Sequence, residues 1–276
     1  FPNAHFNHAI LTVPIASDTV FLECTSQTNP FGYMGKFTSN RNALMITEGG
    51  GKLIRTKKYA PKQNMQQTSL NITLQDDGSA KAIFNRQYTG LEIDNHDFSR
   101  LYNAESDEPQ KWFIDNHNYG NIKVSEVDLL PLEEGFVPTA GYTTTFEIAR
   151  EAKKMGKRYF IRPEKYIESY LSKLTSETRE KSIKIRYGYA QIDSITYSLP
   201  NFMSVESSLE KVALETKFGE YKRQLIKDAD SDTYIYIREF VLNDGKYSIE
   251  EYEAFKDFVN AVVKYDNQSL VLIDKT

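Results

Sequence analysis

The chain has 276 residues, 26% of them charged and 40% hydrophobic, a balance that is typical of globular proteins and excludes wholesale disorder. Its formal net charge of −4 is opposite in sign to a general nucleic-acid-binding surface, so we expect no nucleic-acid partner. No apolar run approaches the roughly 20 residues of a membrane-spanning helix, so we expect no helical membrane span. The 18 Tyr and 16 Phe residues favour half-buried β-strands.

The first predicted element is a β-hairpin near the N-terminus. Its strands are residues 6–13, FNHAILTV, and residues 19–25, TVFLECT, which are apolar and rich in β-branched side chains. A turn centred near residues 15–16 would pair residues whose numbers sum to about 31, and this register places His8 opposite Glu23. Directly opposed residues lie close enough for a carboxylate to orient an imidazole ring.

A histidine held by a carboxylate is the base-and-orienter half of a nucleophilic catalytic triad. A polar cross-strand pair on the surface is the alternative that the sequence leaves open. Cys24, the only cysteine, alternates with Glu23 along the strand and so should point away from His8. We expect it to be a buried structural thiol without a catalytic role. One cysteine excludes a Cys-based zinc cage, and we expect neither a metal nor another cofactor.

The pattern then continues through a second hairpin and a linker. Residues 43–47 and 52–56 predict the hairpin, around three consecutive glycines. Residues 57–68 are rich in Gln and Asn and predict the linker. We therefore divide the chain into residues 1–60 and residues 61–276.

Beyond this boundary, recurring turn signals predict an antiparallel β-sandwich with a few helices, so that the fold class is mainly β, of the α+β type. The predicted strands are residues 70–74, 80–88, 122–129, 142–148, 158–161, 182–187, 191–198, 212–218, 220–226, 233–242 and 270–273. Short helices are expected within residues 94–104 and 107–118. A longer amphipathic helix is expected over residues 249–263, with Ser248 as its N-cap and Glu251 completing a capping box.

Residues 5–35, HFNHAILTVPIASDTVFLECTSQTNPFGYMG, resemble the C-terminal part of a bacterial transglutaminase-like core. The resemblance implies a papain-like fold whose triad is a Cys on a helix, a His on a strand and an acidic residue on the next strand. It implies that His8 is the catalytic histidine and that Glu23 stands where the family commonly has Asp. Cys24 replaces the Pro of the family motif and is not the family nucleophile.

Residues 193–225 and 236–273 resemble the β-domain of unknown function that is appended to such cores. The shared features are a strand that ends in Leu199-Pro200, a strand start at Phe218-Gly219, and a helix with Tyr252 and Phe255. With residues 5–35, the resemblance extends over nearly the whole chain and implies two units, a partial core followed by a β-domain.

In this family the nucleophilic Cys and its helix precede the histidine, whereas this chain begins seven residues before His8. We therefore expect an inactive C-terminal fragment of a longer exported protein, located in the periplasm or cell envelope. The resemblance implies that the full-length protein is a cysteine transglutaminase-like enzyme or protease acting on amide bonds of a protein or peptide. The alternative is a non-catalytic β-sandwich scaffold or interaction module of the cell envelope. A Cys at a helix start in the upstream coding sequence would distinguish the two.

Overall fold

The computed structural model describes residues 6–16, 18–26, 29–96, 98–229 and 231–275, without the side chains of Asp18 and Ser99. Its strands are β1 Leu11–Ile15, β2 Asp18–Leu22, β3 Asn42–Thr47, β4 Gly50–Arg55, β5 Met65–Leu74, β6 Ala80–Thr89, β7 Ile122–Glu133, β8 Thr139–Ile148, β9 Lys153–Met155, β10 Arg158–Ile161, β11 Ile183–Ile185, β12 Tyr189–Ser198, β13 Met203–Ser207, β14 Val212–Thr216, β15 Gly219–Lys227, β16 Thr233–Leu242, β17 Gly245–Tyr247 and β18 Leu270–Asp274. Its α-helices are α1 Phe98–Leu101, α2 Glu108–Asn116 and α3 Tyr252–Asp266. Within the described part of the chain, no helix combines the length and apolar character needed to cross a membrane.

The largest feature is an eight-stranded sheet in the order β14-β15-β16-β12-β5-β6-β8-β7. All neighbouring strands in it are antiparallel except β5 and β12, which run parallel with Met65 beside Ala190. The predicted antiparallel arrangement is therefore confirmed for the other strand pairs of this sheet but not for the pair at its centre. Parallel neighbours need a long crossover connection, and here more than a hundred residues separate β5 from β12 along the chain. Local strand patterns contain no information about such a distant pairing.

A second, four-stranded sheet in the order β13-β18-β10-β9 covers part of one face of the large sheet. The core between them joins Phe84 and Ile195 of the large sheet to Tyr159, Leu270 and Leu272 of the small one. Residues alternate between buried and exposed along β5 and β6, as a strand with one covered face requires. Burial of each large apolar side chain contributes roughly 1.5–3 kcal/mol. The two layers thus confirm the mainly β architecture.

Helix α3 packs its apolar stripe on the β15–β16 side of the large sheet, where Phe258 and Val262 meet Tyr221 and Phe240. The prediction of one amphipathic helix in this region is confirmed by this packing.

The predicted start of this helix is wrong, because α3 begins at Tyr252 and not beside Ser248. Only half of the capping box forms, with the Ser248 N–H donating to the Glu251 carboxylate in a turn that precedes the helix. The structure also adds the three-residue strands β9 and β17, which are too short to show a periodic pattern, and the five-residue strand β13.

Two separate hairpins, β1–β2 and β3–β4, form the N-terminal part of the described chain. A small apolar cluster joins Phe21, Tyr33 and Tyr59 to Leu91, which follows β6. The predicted linker over residues 57–68 is too long, because Tyr59 is buried and β5 already begins at Met65. The division at residue 60 stays a prediction.

Candidate functional site

The β1–β2 hairpin holds the two residues that the sequence singles out. Its antiparallel ladder ends at Leu11 opposite Leu22, and the register is shifted by two residues from the predicted one. The predicted direct opposition of His8 and Glu23 is therefore wrong, since the continued ladder sets Glu23 beside Ile10. A shift of two residues keeps every side chain on its face of the hairpin, whereas a shift of one would reverse the faces. His8 and Glu23 consequently meet diagonally, just beyond the end of the ladder.

The two side chains are hydrogen-bonded, as predicted. His8 Nε2 lies 2.9 Å from Glu23 Oε1 and 2.8 Å from Glu23 Oε2. The Thr25 hydroxyl donates to Glu23 Oε1 at 2.6 Å, and the Thr25 N–H donates to the same oxygen at 3.3 Å. The His8 and Phe37 rings pack nearly perpendicular to each other, with 5.1 Å between the ring centroids and 79° between their planes. The carboxylate is thus fixed by Thr25 while the imidazole is fixed by Glu23 and Phe37.

This environment favours the ionised form of Glu23. Partial burial raises the pKa of Glu23, but hydrogen bonds from Thr25 and His8 outweigh burial and hold this pKa below its ordinary value. A carboxylate that accepts from Nε2 selects the tautomer with its proton on Nε2 and its lone pair on Nδ1. Among the described residues Nδ1 has no hydrogen-bond partner, so the ring can accept a proton there.

Cys24 differs from its prediction. It is exposed, not buried, and its Sγ donates to the Leu22 carbonyl oxygen at 3.6 Å. The reason is that β2 ends at Leu22, so Cys24 lies in the loop that follows and no longer obeys the alternation of the strand. Its lack of a catalytic role stays a prediction.

A row of buried polar and charged residues, which was not predicted from the sequence, crosses the large sheet. Arg223, Arg238, Asp193, Thr68 and Arg86 are consecutive partners on five neighbouring strands. The three arginines and Asp193 are all almost completely buried. Each of these four residues places a charge at an inward-facing position of its strand. A charged residue at such a position is the sequence signal from which the row could have been predicted.

Residues from the elements packed on the sheet form ion pairs with the charged residues of this row. Arg238 forms a two-pronged ion pair with Asp266 at the end of α3, at 2.8 and 3.0 Å, and also contacts Asp193 at 3.0 Å. Arg86 contacts Glu168 at 3.2 Å, and the Tyr88 hydroxyl donates to the same carboxylate at 2.9 Å.

These contacts link the sheet to the elements packed on it, and removing one partner would leave the other charge buried and unpaired. Within the described ranges, no group of three or more His, Cys, Asp or Glu residues is placed to hold a metal ion.

Comparison with known proteins gives a family match and a similar solved structure. Residues 157–272 match DUF3858, described as a domain of unknown function with a solved structure. No curated protein matches the chain. A crystal structure from Parabacteroides distasonis, described as a "putative protease", is 16% identical with a TM-score of 0.37 over 45% of this chain and 24% of that one. The chain thus spans about a quarter of that protein's length.

The family match covers β10 to β18 and supports the expected domain of unknown function in the C-terminal part of the chain. It includes neither His8 nor Glu23. The transglutaminase-like core stays a prediction.

Proposed function

We propose that this chain supplies the base and its orienting carboxylate, His8 and Glu23, to a transglutaminase-like cysteine site that acts on amide bonds. The nucleophilic cysteine belongs to a further part of the same protein. The observation that carries the proposal is the contact of 2.8 Å between His8 Nε2 and Glu23 Oε2, which leaves Nδ1 available to a nucleophile.

The chemistry follows from the two ring nitrogens. Nδ1 accepts the thiol proton as the thiolate attacks the amide carbonyl carbon, and Glu23 stabilises the resulting imidazolium through Nε2. The imidazolium then returns the proton to the leaving amine as the C–N bond breaks, which leaves an acyl-enzyme. Water or a second amine completes the reaction and regenerates the thiol, so that hydrolysis and transfer share the same residues.

The distribution of exposed apolar side chains also supports the proposal. Among the residues that the structure describes, eight of the sixteen exposed large apolar side chains fall within residues 6–53. On the outer face of β3–β4, Leu44 and Leu53 lie opposite each other with 42% and 72% exposure, and Ile46 is 77% exposed. A concentration of this kind marks a surface that another protein segment covers. In this proposal, the part of the protein that carries the nucleophilic cysteine covers this surface.

A second candidate function is a non-catalytic scaffold or interaction module. It is favoured by the fact that the family match falls entirely on residues 157–272, away from the hairpin with His8 and Glu23. In both cases the resemblance of the sequence favours an exported protein of the periplasm or cell envelope, and this location is part of the proposal.

The test uses the protein with the sequence that precedes this chain in its gene, in a Cys24→Ser background. Cysteines are alkylated with iodoacetamide at pH 7 and mapped by mass spectrometry. We expect one cysteine to react fast, and His8→Ala to slow this reaction at least about tenfold because the base no longer favours the thiolate. Activity on a glutamine- or amide-containing peptide should fall by roughly 10²–10⁴-fold.

Asn7→Ala, a change at the exposed neighbour of His8, is the matched control and should alter neither rate. If every cysteine reacts equally fast with and without His8, the catalytic proposal is wrong and the scaffold function is favoured.

A further inference from the structure

Residues 168–176, called the strap below, run from the large sheet to helix α3 without forming a helix or a strand. Glu168, Leu171 and Leu174 are half-buried, whereas the two residues that follow each of them are exposed. A three-residue period is typical of the polyproline II conformation, which has no internal hydrogen bonds. The strap is thus anchored at every third side chain, with one further contact of 3.0 Å from the Tyr170 hydroxyl to Glu92.

The first anchor is a carboxylate beside a buried guanidinium. Glu168 Oε2 accepts from Arg86 at 3.2 Å and from the Tyr88 hydroxyl at 2.9 Å, and Glu168 Oε1 lies 3.7 Å from His96 Nε2. Arg86 is completely buried, and among the described residues Glu168 is the carboxylate with which it forms an ion pair. A buried guanidinium without a carboxylate is costly. A segment that replaces the strap therefore needs an acidic side chain at this position.

The second and third anchors are apolar. Leu171 and Leu174 pack against the apolar cluster that includes Phe258 and Val262 of α3. Contacts of this kind are non-directional, so they select apolar character and not one particular residue type. The surface under the strap thus accepts apolar side chains three and six residues after the acidic one.

Side chains also bind the main chain of the strap. Asn260 Oδ1 accepts from the Leu174 N–H at 2.8 Å, and Asn260 Nδ2 donates to the Leu174 carbonyl oxygen at 3.0 Å. The Tyr252 hydroxyl donates to the Ser176 carbonyl oxygen at 3.1 Å. Within the described part of the chain, no main-chain group of the strap bonds to another main-chain group. Release of the strap would therefore break neither a strand ladder nor a helix.

We propose that the surface under the strap is a groove for an extended peptide segment of a partner protein, and that the strap occupies this groove as a built-in competitor. The partner segment carries an acidic side chain followed by apolar side chains three and six residues later. Arg86 binds the carboxylate, the cluster on α3 takes the apolar side chains, and Asn260 binds the main chain. Recognition of extended peptides by such pockets is a common binding mode.

The chain on the C-terminal side of the strap allows its release. Residues 177–181 are exposed and lie outside helices and strands, so the strap can leave the groove while β11 stays in place. The groove involves neither His8 nor Glu23. The proposal therefore goes beyond the proposed catalytic role and holds whether or not His8 acts as a base.

The test opens the groove with Leu171→Ser/Leu174→Ser, which weakens two anchors of the strap. The ligand is a fluorescent peptide with the sequence of residues 167–177, IESYLSKLTSE, and fluorescence anisotropy measures its binding. We expect saturable binding to this variant and at least about tenfold weaker binding to the wild-type chain, where the strap competes at a high effective concentration. Leu171→Ser alone should give an intermediate affinity. Far-UV circular dichroism verifies that each variant is folded.

Altered peptides test the anchors one at a time. Glutamine in place of Glu168 should weaken binding to the opened variant about tenfold, because Arg86 is left without a carboxylate. Serine in place of both leucines should abolish binding. N-methylation of the residue that corresponds to Leu174 removes the N–H bound by Asn260 and should weaken binding about tenfold.

Asn260→Ala in the opened variant tests the contact to the main chain. It should weaken binding of the unmodified peptide about tenfold, and N-methylation should then cost less, because the two changes remove the same hydrogen bond. Asp257→Ala, at an exposed position of the same helix, is the matched control and should leave binding unchanged.

Hydrogen exchange of the wild-type chain measures release of the strap without any variant. The Leu174 amide should exchange at least about a hundredfold faster than the main-chain amides of β12, because the strap opens while the sheet stays folded. If the Leu174 amide is protected as strongly as those of β12, the strap opens only on global unfolding and the proposal is wrong.

Two binding results would also overturn the proposal: no binding of the unmodified peptide to the opened variant, or equal binding of this peptide and the one with both leucines replaced. Wild-type dimers that Leu171→Ser/Leu174→Ser abolishes would replace it with exchange of the strap between two copies of the chain. None of these results bears on the cysteine alkylation experiment, so the two proposals can fail separately.

Discussion

The Arg238 guanidinium and the Asp193 carboxylate face each other across β16 and β12, with 3.0 Å between Arg238 Nη1 and Asp193 Oδ2 and no solvent exposure of either side chain. Arg238 also holds Asp266 at the end of α3. One guanidinium therefore links the centre of the large sheet to the helix packed on it. Burial holds the pKa of Asp193 above its ordinary value, although the positive charge of Arg238 acts to lower it.

Replacing Arg238 by methionine should destabilise the protein by about 3–5 kcal/mol, because two carboxylates would be left buried without a cation. Asp193→Asn keeps the shape of the side chain and the Arg238–Asp266 pair, so it should cost clearly less. Urea unfolding followed by Trp112 fluorescence measures both losses. Equal losses would show that the Asp266 pair contributes little.

His117 should make stability fall in mild acid. Burial, with the nearby Arg86 charge, lowers the pKa of His117 from 6.5 to about 4. Its neutral ring donates from Nδ1 to the Phe113 carbonyl and accepts from the Tyr142 hydroxyl, each at 2.9 Å. The unfolded chain therefore binds a proton more readily than the folded one.

The stabilising effect of neutral His117 is complete above pH 6.5 and is lost as the pH falls toward about 4, by about 3 kcal/mol in total. His117→Gln keeps a donor and an acceptor without a titrating ring. Comparing urea unfolding of both proteins at pH 7.5 and 4.5 measures the contribution of the histidine. If the free energy of unfolding falls by the same amount in both proteins, the role of His117 is contradicted.

The hydroxyl of Thr25 should help to keep Glu23 ionised. Thr25→Val removes the 2.6 Å hydrogen bond with little change in shape and should raise the pKa of Glu23, measured by ¹³C NMR of the carboxyl group. Thr25→Ser retains a hydroxyl and is the control. Because the folded pKa lies below the ordinary 4.5, the stabilisation by ionised Glu23 is present above that pH and is lost as the pH falls through the folded value. An unchanged pKa in Thr25→Val would assign the effect to His8 and to the backbone N–H of residue 25.

The exposed thiol of Cys24 should react without help from His8. We expect iodoacetamide to alkylate it in the folded chain at a rate comparable to that of the urea-unfolded chain, because the thiol is already open to solvent. His8→Ala should not alter this rate. A much faster reaction that disappears in His8→Ala would instead make Cys24 a nucleophile.

The outer face of β3–β4 should drive self-association when nothing covers it. Ile46→Lys and Leu53→Lys replace side chains that are 77% and 72% exposed, so each should change the free energy of unfolding by no more than about 0.5 kcal/mol. Both should reduce concentration-dependent association in sedimentation and dye binding to apolar surface. Ile83→Lys, at a 57% exposed position of the large sheet, is the control and should change neither.

The local part of the fold could be predicted from the sequence. Alternation of apolar and polar residues indicated the long strands, and for β10 and β16 even their bounds, because a strand with one covered face needs a period of two. The same period explains the His8–Glu23 contact. The predicted register differs from the observed one by two residues. An even shift keeps both side chains on one face, so the predicted hydrogen bond is nevertheless present.

Sequence by itself thus determined the β-rich class, the hairpins, the amphipathic helix and the face shared by His8 and Glu23. Only the tertiary structure decided that β5 and β12 lie side by side, that Arg238 meets Asp266, and that Cys24 is exposed. The physical reason is the distance along the chain over which each effect acts. Alternation and turn chemistry act over a few residues, whereas strand order and the pairing of buried charges depend on which distant segments exclude water together.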